Sequence, residues 1–136
     1  VGQDMRREDW PEVLHAEIEA ARDKPFVWGA CDCCLWAADV VKALIGMDYA
    51  AAFRGRYSTA RGAVRALKRY GKGTLDATMD ALLPRRPFPM RGDVVMAIVD
   101  GQQALGICVD VRAAFKAPQG LTFLPLSEIA AAWAVD

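Results

Sequence analysis

Residues 27 to 41 read VWGACDCCLWAADVV. A Trp-Gly pair and an aspartate frame three cysteines within four positions, Cys31, Cys33 and Cys34, and the chain then turns apolar. Cys33, Trp36, Ala37, Val40, Val41 and Leu44 recur at the spacing of one helix face. Asp32 stands where an N-cap belongs, and Gly46 stands where such a helix stops. Most of the helix surface is apolar, so it is expected at the centre of the domain. A cysteine directly after the cap meets the unpaired N–H groups of the first turn, which favour its thiolate. Cys33 is therefore the candidate nucleophile.

A thiolate alone does not make a catalyst. Acyl transfer by cysteine also needs a base within hydrogen-bond reach and a group that orients it. The single histidine of the chain, His15, falls in an earlier acidic helical pattern and reads as a solvated residue. Other uses of the cluster stay open. Cys31 and Cys34 have C-x-x-C spacing and Cys108 could join them, but structural zinc normally takes two well-separated ligand pairs. A redox pair would follow a strand in a βαβ layout, and here a helix comes first. Cys34 and Cys108 also fit a bland role as small polarisable packing residues. No metal and no cofactor is expected.

Working outward, the pattern predicts helices first and strands afterwards. Asp9 and Glu12 have the spacing of a capping box before Trp10, Leu14, Ile18 and Ala21, and "DKP" ends that helix. "YSTARGAVRALKRYG" predicts a helix capped near Ser58 and stopped at Gly71. Its inner stripe is expected to be Ala60, Val64 and Leu67, and its outer stripe Arg61, Arg65, Lys68, Arg69 and Lys72. "TLDATMDALLP" predicts a shorter helix, and "PRRPFPMRG" a proline-rich loop. "DVVMAIV" and "ALGICVD", joined by "DGQQ", predict a hairpin, as do "RAAFKA" and "LTFLPL" around "PQG". Ser127 is expected to cap a short terminal helix ending near Trp133. This order gives an α+β class, one domain over residues 1–136.

The 136 residues are 54% hydrophobic and 25% charged, with 17 basic and 17 acidic side chains. Residues 1 to 50 hold five Lys/Arg against ten Asp/Glu, residues 51 to 92 ten against two, and residues 93 to 136 two against five. So strong an asymmetry suggests an oriented contact, and the plain alternative is a solvated helix face. No apolar run is long enough to span a bilayer, and "VGQDMRREDWPEV" lacks a signal-peptide core. A cytoplasmic origin with reduced thiols is the expectation.

The stretches "FVWG", "DCCLW", "RGDVVMA" and "ALGICV" resemble, in order and spacing, those of NlpC-type cell-wall peptidases, which have a papain-like fold. The resemblance implies that Asp32 and Cys33 match the family's D-C pair and that Cys33 holds the nucleophile position. It implies that Gly92 and Asp93 lie on one strand, and Gly106 and Ile107 on the next. The position of the family's basic histidine is taken by Ala104, which cannot accept a proton. Over the whole chain, "FVWGACDCCLWAAD", "FRGRY", "RGDVV", "ALGIC" and "GLTFLPLSEIAAAW" resemble short proteins encoded beside tail genes in tailed phages and prophages. That likeness implies a structural or docking component of a phage-type tail tip, made in the bacterial cytoplasm and carried into the virion, with neighbouring tail subunits as partners. An active amidase or peptidase acting on peptidoglycan stem peptides is the alternative. Nucleic-acid binding through residues 54 to 72 is weaker, because the flanks are acidic and only Tyr57 and Tyr70 interleave with the basic residues.

Overall fold

The computed structural model describes residues 6 to 136. Among them are four α-helices, α1 (Trp10–Ala21), α2 (Cys33–Ile45), α3 (Ala60–Tyr70) and α4 (Leu75–Leu82). Five strands follow, β1 (Val94–Val99), β2 (Gln102–Cys108), β3 (Arg112–Ala117), β4 (Gly120–Pro125) and β5 (Ile129–Trp133). The class is α+β, with the strands in one antiparallel sheet of order β4-β3-β2-β1-β5. No described helix is long and apolar enough to cross a membrane.

Helix α2 lies against β2 and β3, with α1 beside it. Its Leu35, Trp36, Ala37, Ala38, Val40, Val41 and Leu44 are buried, as the apolar run required. Gly46 ends it in the left-handed region at φ 78°, where a residue without a Cβ carries no penalty. Leu14 and Ile18 of α1, Met79 of α4, and Val94, Met96, Leu105, Ile107 and Trp133 of the sheet join this core.

The other face of the sheet holds a second cluster, Val95, Ala97, Cys108, Ala113, Phe115 and Ala132. Its existence follows from the connection between β4 and β5. A flat sheet would place these two outer strands about 19 Å apart, four spacings of about 4.8 Å. Only Leu126–Glu128 join them, in a 3-10 turn that advances about 2 Å per residue. The sheet must curl until its edges approach, and the second cluster fills the inside of the curl, with Leu124, Leu126 and Ile129 packed against it.

Four expectations are corrected. Asp9 does not cap α1 through its side chain; its carboxylate is held by Arg7 at 2.9 Å to each oxygen. The cap of α3 is Thr59, whose hydroxyl accepts from the Gly62 N–H at 2.9 Å, and not Ser58. The inner side of α3 is Ala63, Ala66 and Leu67, while Ala60 is exposed and Val64 is 53% exposed. The helix settles on its small residues because a Cβ at Gly62 would already stand 3.0 Å from the Tyr57 Cβ. Finally, the terminal segment is not a helix. Residues Ile129–Trp133 form β5, because the outer edge of β1 would otherwise leave a row of backbone groups unpaired. Trp133 is then fixed by its indole N–H, which donates to Asp80 Oδ1 at 2.9 Å.

Candidate functional site: a cleft over Cys33

The start of α2 is built by residues distant in sequence. Asp32, 1% exposed, accepts three hydrogen bonds: from the Leu35 N–H at 2.9 Å, the Gly29 N–H at 3.0 Å and the Tyr57 hydroxyl at 2.5 Å. The first is the expected N-cap. The other two explain the neighbouring motifs. Gly29 has φ 81°, and a Cβ there would come within 1.8 Å of the Tyr57 carbonyl oxygen, so the glycine of "VWGA" is a condition for this close approach. Tyr57 ends the "FRGRY" segment. Its hydroxyl is held protonated by burial and by the bond to Asp32. Arg54 of the same segment ties it down, reaching Asp39 at 2.8 Å and Asp48 at 2.9 Å. Asp32 thus acts as a cap and buttress, with no free oxygen aimed at the thiol.

Cys33 follows the cap and its sulfur lies 3.8 Å from that of Cys34. The contact shifts the two thiols in opposite directions. A hydrogen bond from Cys34 lowers the Cys33 pKa, burial opposes this, and the Leu105 backbone N–H lowers it further. The same bond and burial raise Cys34. Of the pair, Cys33 is the thiol that ionises more readily. Cys31 is raised by burial, and Cys108 is pushed up to about 11 by burial, with its Sγ directed at the Asp110 carbonyl at 3.6 Å. Among the described residues, no three His, Cys, Asp or Glu side chains converge as a metal site would need.

Cys33 opens into a cleft of about 660 Å³. Its walls are Trp28, the start of α2, Ala60, Ala63, Val64 and Leu67 of α3, the tip of the β1–β2 hairpin and the β3–β4 hairpin. Ala104 lines the same cleft, so the structure brings Cys33 and Ala104 together. The other polar residues on its walls are Asp100, Gln102, Gln103, Gln119, Thr74, Thr122 and Lys116. None is an imidazole. His15 is exposed on α1 and does not line the cleft. The Lys116 ammonium spends its three donors on the carbonyls of Ala21, Lys24 and Gly120 at 2.9, 2.6 and 3.0 Å. It closes the C-terminal end of α1 and does not act on the thiol. Beneath the cleft, Cys34, Ala63, Leu67 and Leu75 also line a small apolar cavity of about 60 Å³.

Asp93, matched above to the strand motif, lies elsewhere and is 0% exposed. It accepts from the backbone N–H groups of Met90 at 2.8 Å and Val135 at 3.1 Å, and from Arg6 at 3.3 Å. Arg86 Nε sits 2.8 Å away, an ion pair too bent for a hydrogen bond. This aspartate staples residues near both ends of the chain to β1.

Arg61, Arg65, Lys68 and Arg69 are exposed on α3, and Lys72 is exposed just past its end. Among the described residues none forms an ion pair within 4.0 Å, and of Glu12, Glu17 and Glu19 only Glu19 is paired, with Arg22 at 3.1 Å. The first helix does not neutralise the stripe.

Sequence reading missed Tyr57, Cys34 as the hydrogen-bond partner of Cys33, and the Leu105 amide. The aromatic end of "FRGRY" carried the only visible signal, and its role depends on a contact 25 residues away. Comparison with curated proteins and with solved structures finds no match for the chain. A family model does match, over residues 5–135, nearly the full length. The chain therefore belongs to the family described as "Domain of unknown function (DUF6950)".

Proposed function

We propose that this chain is a docking component of a phage-type tail, built on a papain-like, NlpC-type cysteine-peptidase fold that has lost its catalysis. The observation that carries the reading is Ala104: a thiolate-favouring cysteine faces a formed cleft, and the wall where the resemblance puts a basic histidine holds a methyl group. Without the imidazole, the general-base step it would supply, normally worth about 10²–10⁴-fold, is missing. A fold kept without its chemistry is available as a binding module. The unpaired basic stripe on α3 fits an acidic neighbouring subunit, and the tail context rests on the motif resemblance.

The second reading is an active amidase or peptidase on peptidoglycan stem peptides, favoured by the lowered pKa of Cys33. Incubating the pure protein with stem peptides separates the two. We expect alkylation at Cys33 by iodoacetamide but no hydrolysis. Turnover abolished by Cys33→Ala overturns the docking reading. For the docking reading itself, tail particles assembled with the Arg61→Glu, Arg65→Glu, Arg69→Glu variant should lack the protein.

A further inference from the structure

Strands β2 and β3 begin as neighbours and then part. Their ladder contains only Ile107 opposite Ala114 and Cys108 opposite Ala113. Yet β2 runs back to Gln102 and β3 runs on to Ala117, each paired along its other edge, with β1 and β4. Had the ladder continued, Leu105 would lie opposite Lys116 and Gln103 opposite Pro118. The parting is the cleft: Gln102, Gln103 and Ala104 form one lip, and Phe115 to Gln119 the other.

The backbone groups that face this gap can be identified. The Cys108 N–H donates to the Asp93 carbonyl and the Cys108 carbonyl accepts from Gly92, so Cys108 faces β1. By the alternation of an antiparallel strand, Gln103 and Leu105 face β3. On the other lip, the Arg112 carbonyl accepts from the Val109 N–H, so Arg112, Ala114 and Lys116 face β2. By register, Gln103 and Lys116 turn backbone N–H and C=O groups toward the gap and line the cleft, Gln103 exposed and Lys116 2% exposed, while Leu105, 1% exposed, is directed the same way at its closed end. The Leu105 N–H is directed at the Cys33 and Cys34 sulfurs. Past the end of the ladder the remaining groups lie as two facing strand edges, with Cys33 at the floor between them.

We propose that an extended peptide segment of a partner protein inserts between β2 and β3, over Cys33, and completes the sheet. Main-chain hydrogen bonding to exposed strand edges is the chemistry by which extended peptides are recognised. The size fits. One strand residue takes roughly 160 Å³, from a rise of about 3.3 Å, a strand spacing of about 4.8 Å and a sheet spacing of about 10 Å. The cleft of about 660 Å³ therefore holds about four residues. Small side chains suit the centre of the segment, where Ala104 and Cys33 form the walls. This inference rests on the reading of the Cys33 cleft as a docking site.

Tethering tests it on the full chain. The probe is a short alanine peptide with one central cysteine, supplied as its mixed disulfide with 2-mercaptoethanol. The Cys33 thiolate attacks the peptide sulfur, a peptide–Cys33 disulfide forms, and the mercaptoethanol thiolate leaves. Mass spectrometry of tryptic fragments maps the attachment, and NMR hydrogen exchange follows the backbone amides. We expect exchange at Gln103 and Lys116 to slow at least tenfold on tethering. A matching peptide N-methylated at alternate amides should be displaced by at least tenfold less 2-mercaptoethanol. Equal retention of the two peptides, or unchanged exchange at Gln103 and Lys116, overturns the inference. Protection of the same amides in the untethered protein as its concentration rises would assign the strand to a second copy, and also overturns it. Failure here leaves the particle test on α3 standing, and failure of that test leaves the strand geometry standing, so the two readings fail separately.

Discussion

Asp32 and Asp93 are both buried, both saturated with hydrogen bonds and both part of the motifs that carry the resemblance, yet their surroundings differ. Asp93 is met by two arginines and two amides; Asp32 is met by two amides and a hydroxyl, with no cation. A charge balanced by guanidinium groups suits a closed structural joint. A charge held only by neutral donors can stand beside a reactive thiol without placing a second cation in its cleft. The same residue type thus serves as a staple at one place and as the footing of a candidate site at the other.

The largest expected effect comes from breaking the staple. Asp93→Ala leaves the inward-facing Arg6 and Arg86 beside an empty site, with side chains 10% and 25% exposed. Removing one partner of a buried ion pair costs about 3–5 kcal/mol. Urea unfolding should show a loss of that size, and a loss below about 1 kcal/mol would mean that the arginines simply turn to solvent. Asp32→Ala comes next. It removes an N-cap, which costs about 0.5–2 kcal/mol, and it should fall at the upper end because Gly29 and Tyr57 also lose their acceptor. A loss equal to that of Asp93→Ala would erase the distinction drawn here.

The third effect concerns pH. A lowered pKa means that Cys33 carries its reactive thiolate at lower pH than an ordinary thiol. The rate of iodoacetamide labelling at Cys33 should therefore rise with a midpoint below the reference value of 9.0. Cys34→Ala removes the leading cause of the shift, so the midpoint should move up. If it stays, the helix terminus and the Leu105 amide hold the thiolate by themselves. The smallest effect is expected on the surface. Charge reversal at Arg61, Arg65 and Arg69 should change stability by no more than about 0.5 kcal/mol, measured by thermal melting, since these side chains have no ion-pair partner to lose. A collapse in melting temperature would place the stripe's partner within the chain.

The elements that read correctly are those with local causes. Helix α2 carries its own cap, apolar stripe and terminal glycine. The β1–β2 turn is Asp100 and Gly101, both at positive φ, as a two-residue hairpin with an Asp-Gly pair demands. The misreading of the C-terminal segment has a distant cause. "SEIAAAW" is rich in alanine, the strongest helix former, and only the free edge of β1 makes it a strand. Asp9 has the spacing of a cap, but a neighbouring guanidinium competes for its oxygens.

By itself the sequence determined the α+β order, the buried helix with Cys33 at its head, and the absence of an imidazole at position 104. These follow from side-chain periodicity, capping chemistry and residue identity, which are local properties. Tertiary structure alone decided that Tyr57 supports Asp32, that the sheet curls, and that β2 and β3 part over the thiol. Each depends on groups far apart in sequence whose hydrogen bonds exist only once the chain has closed, and no local pattern records which of them will meet.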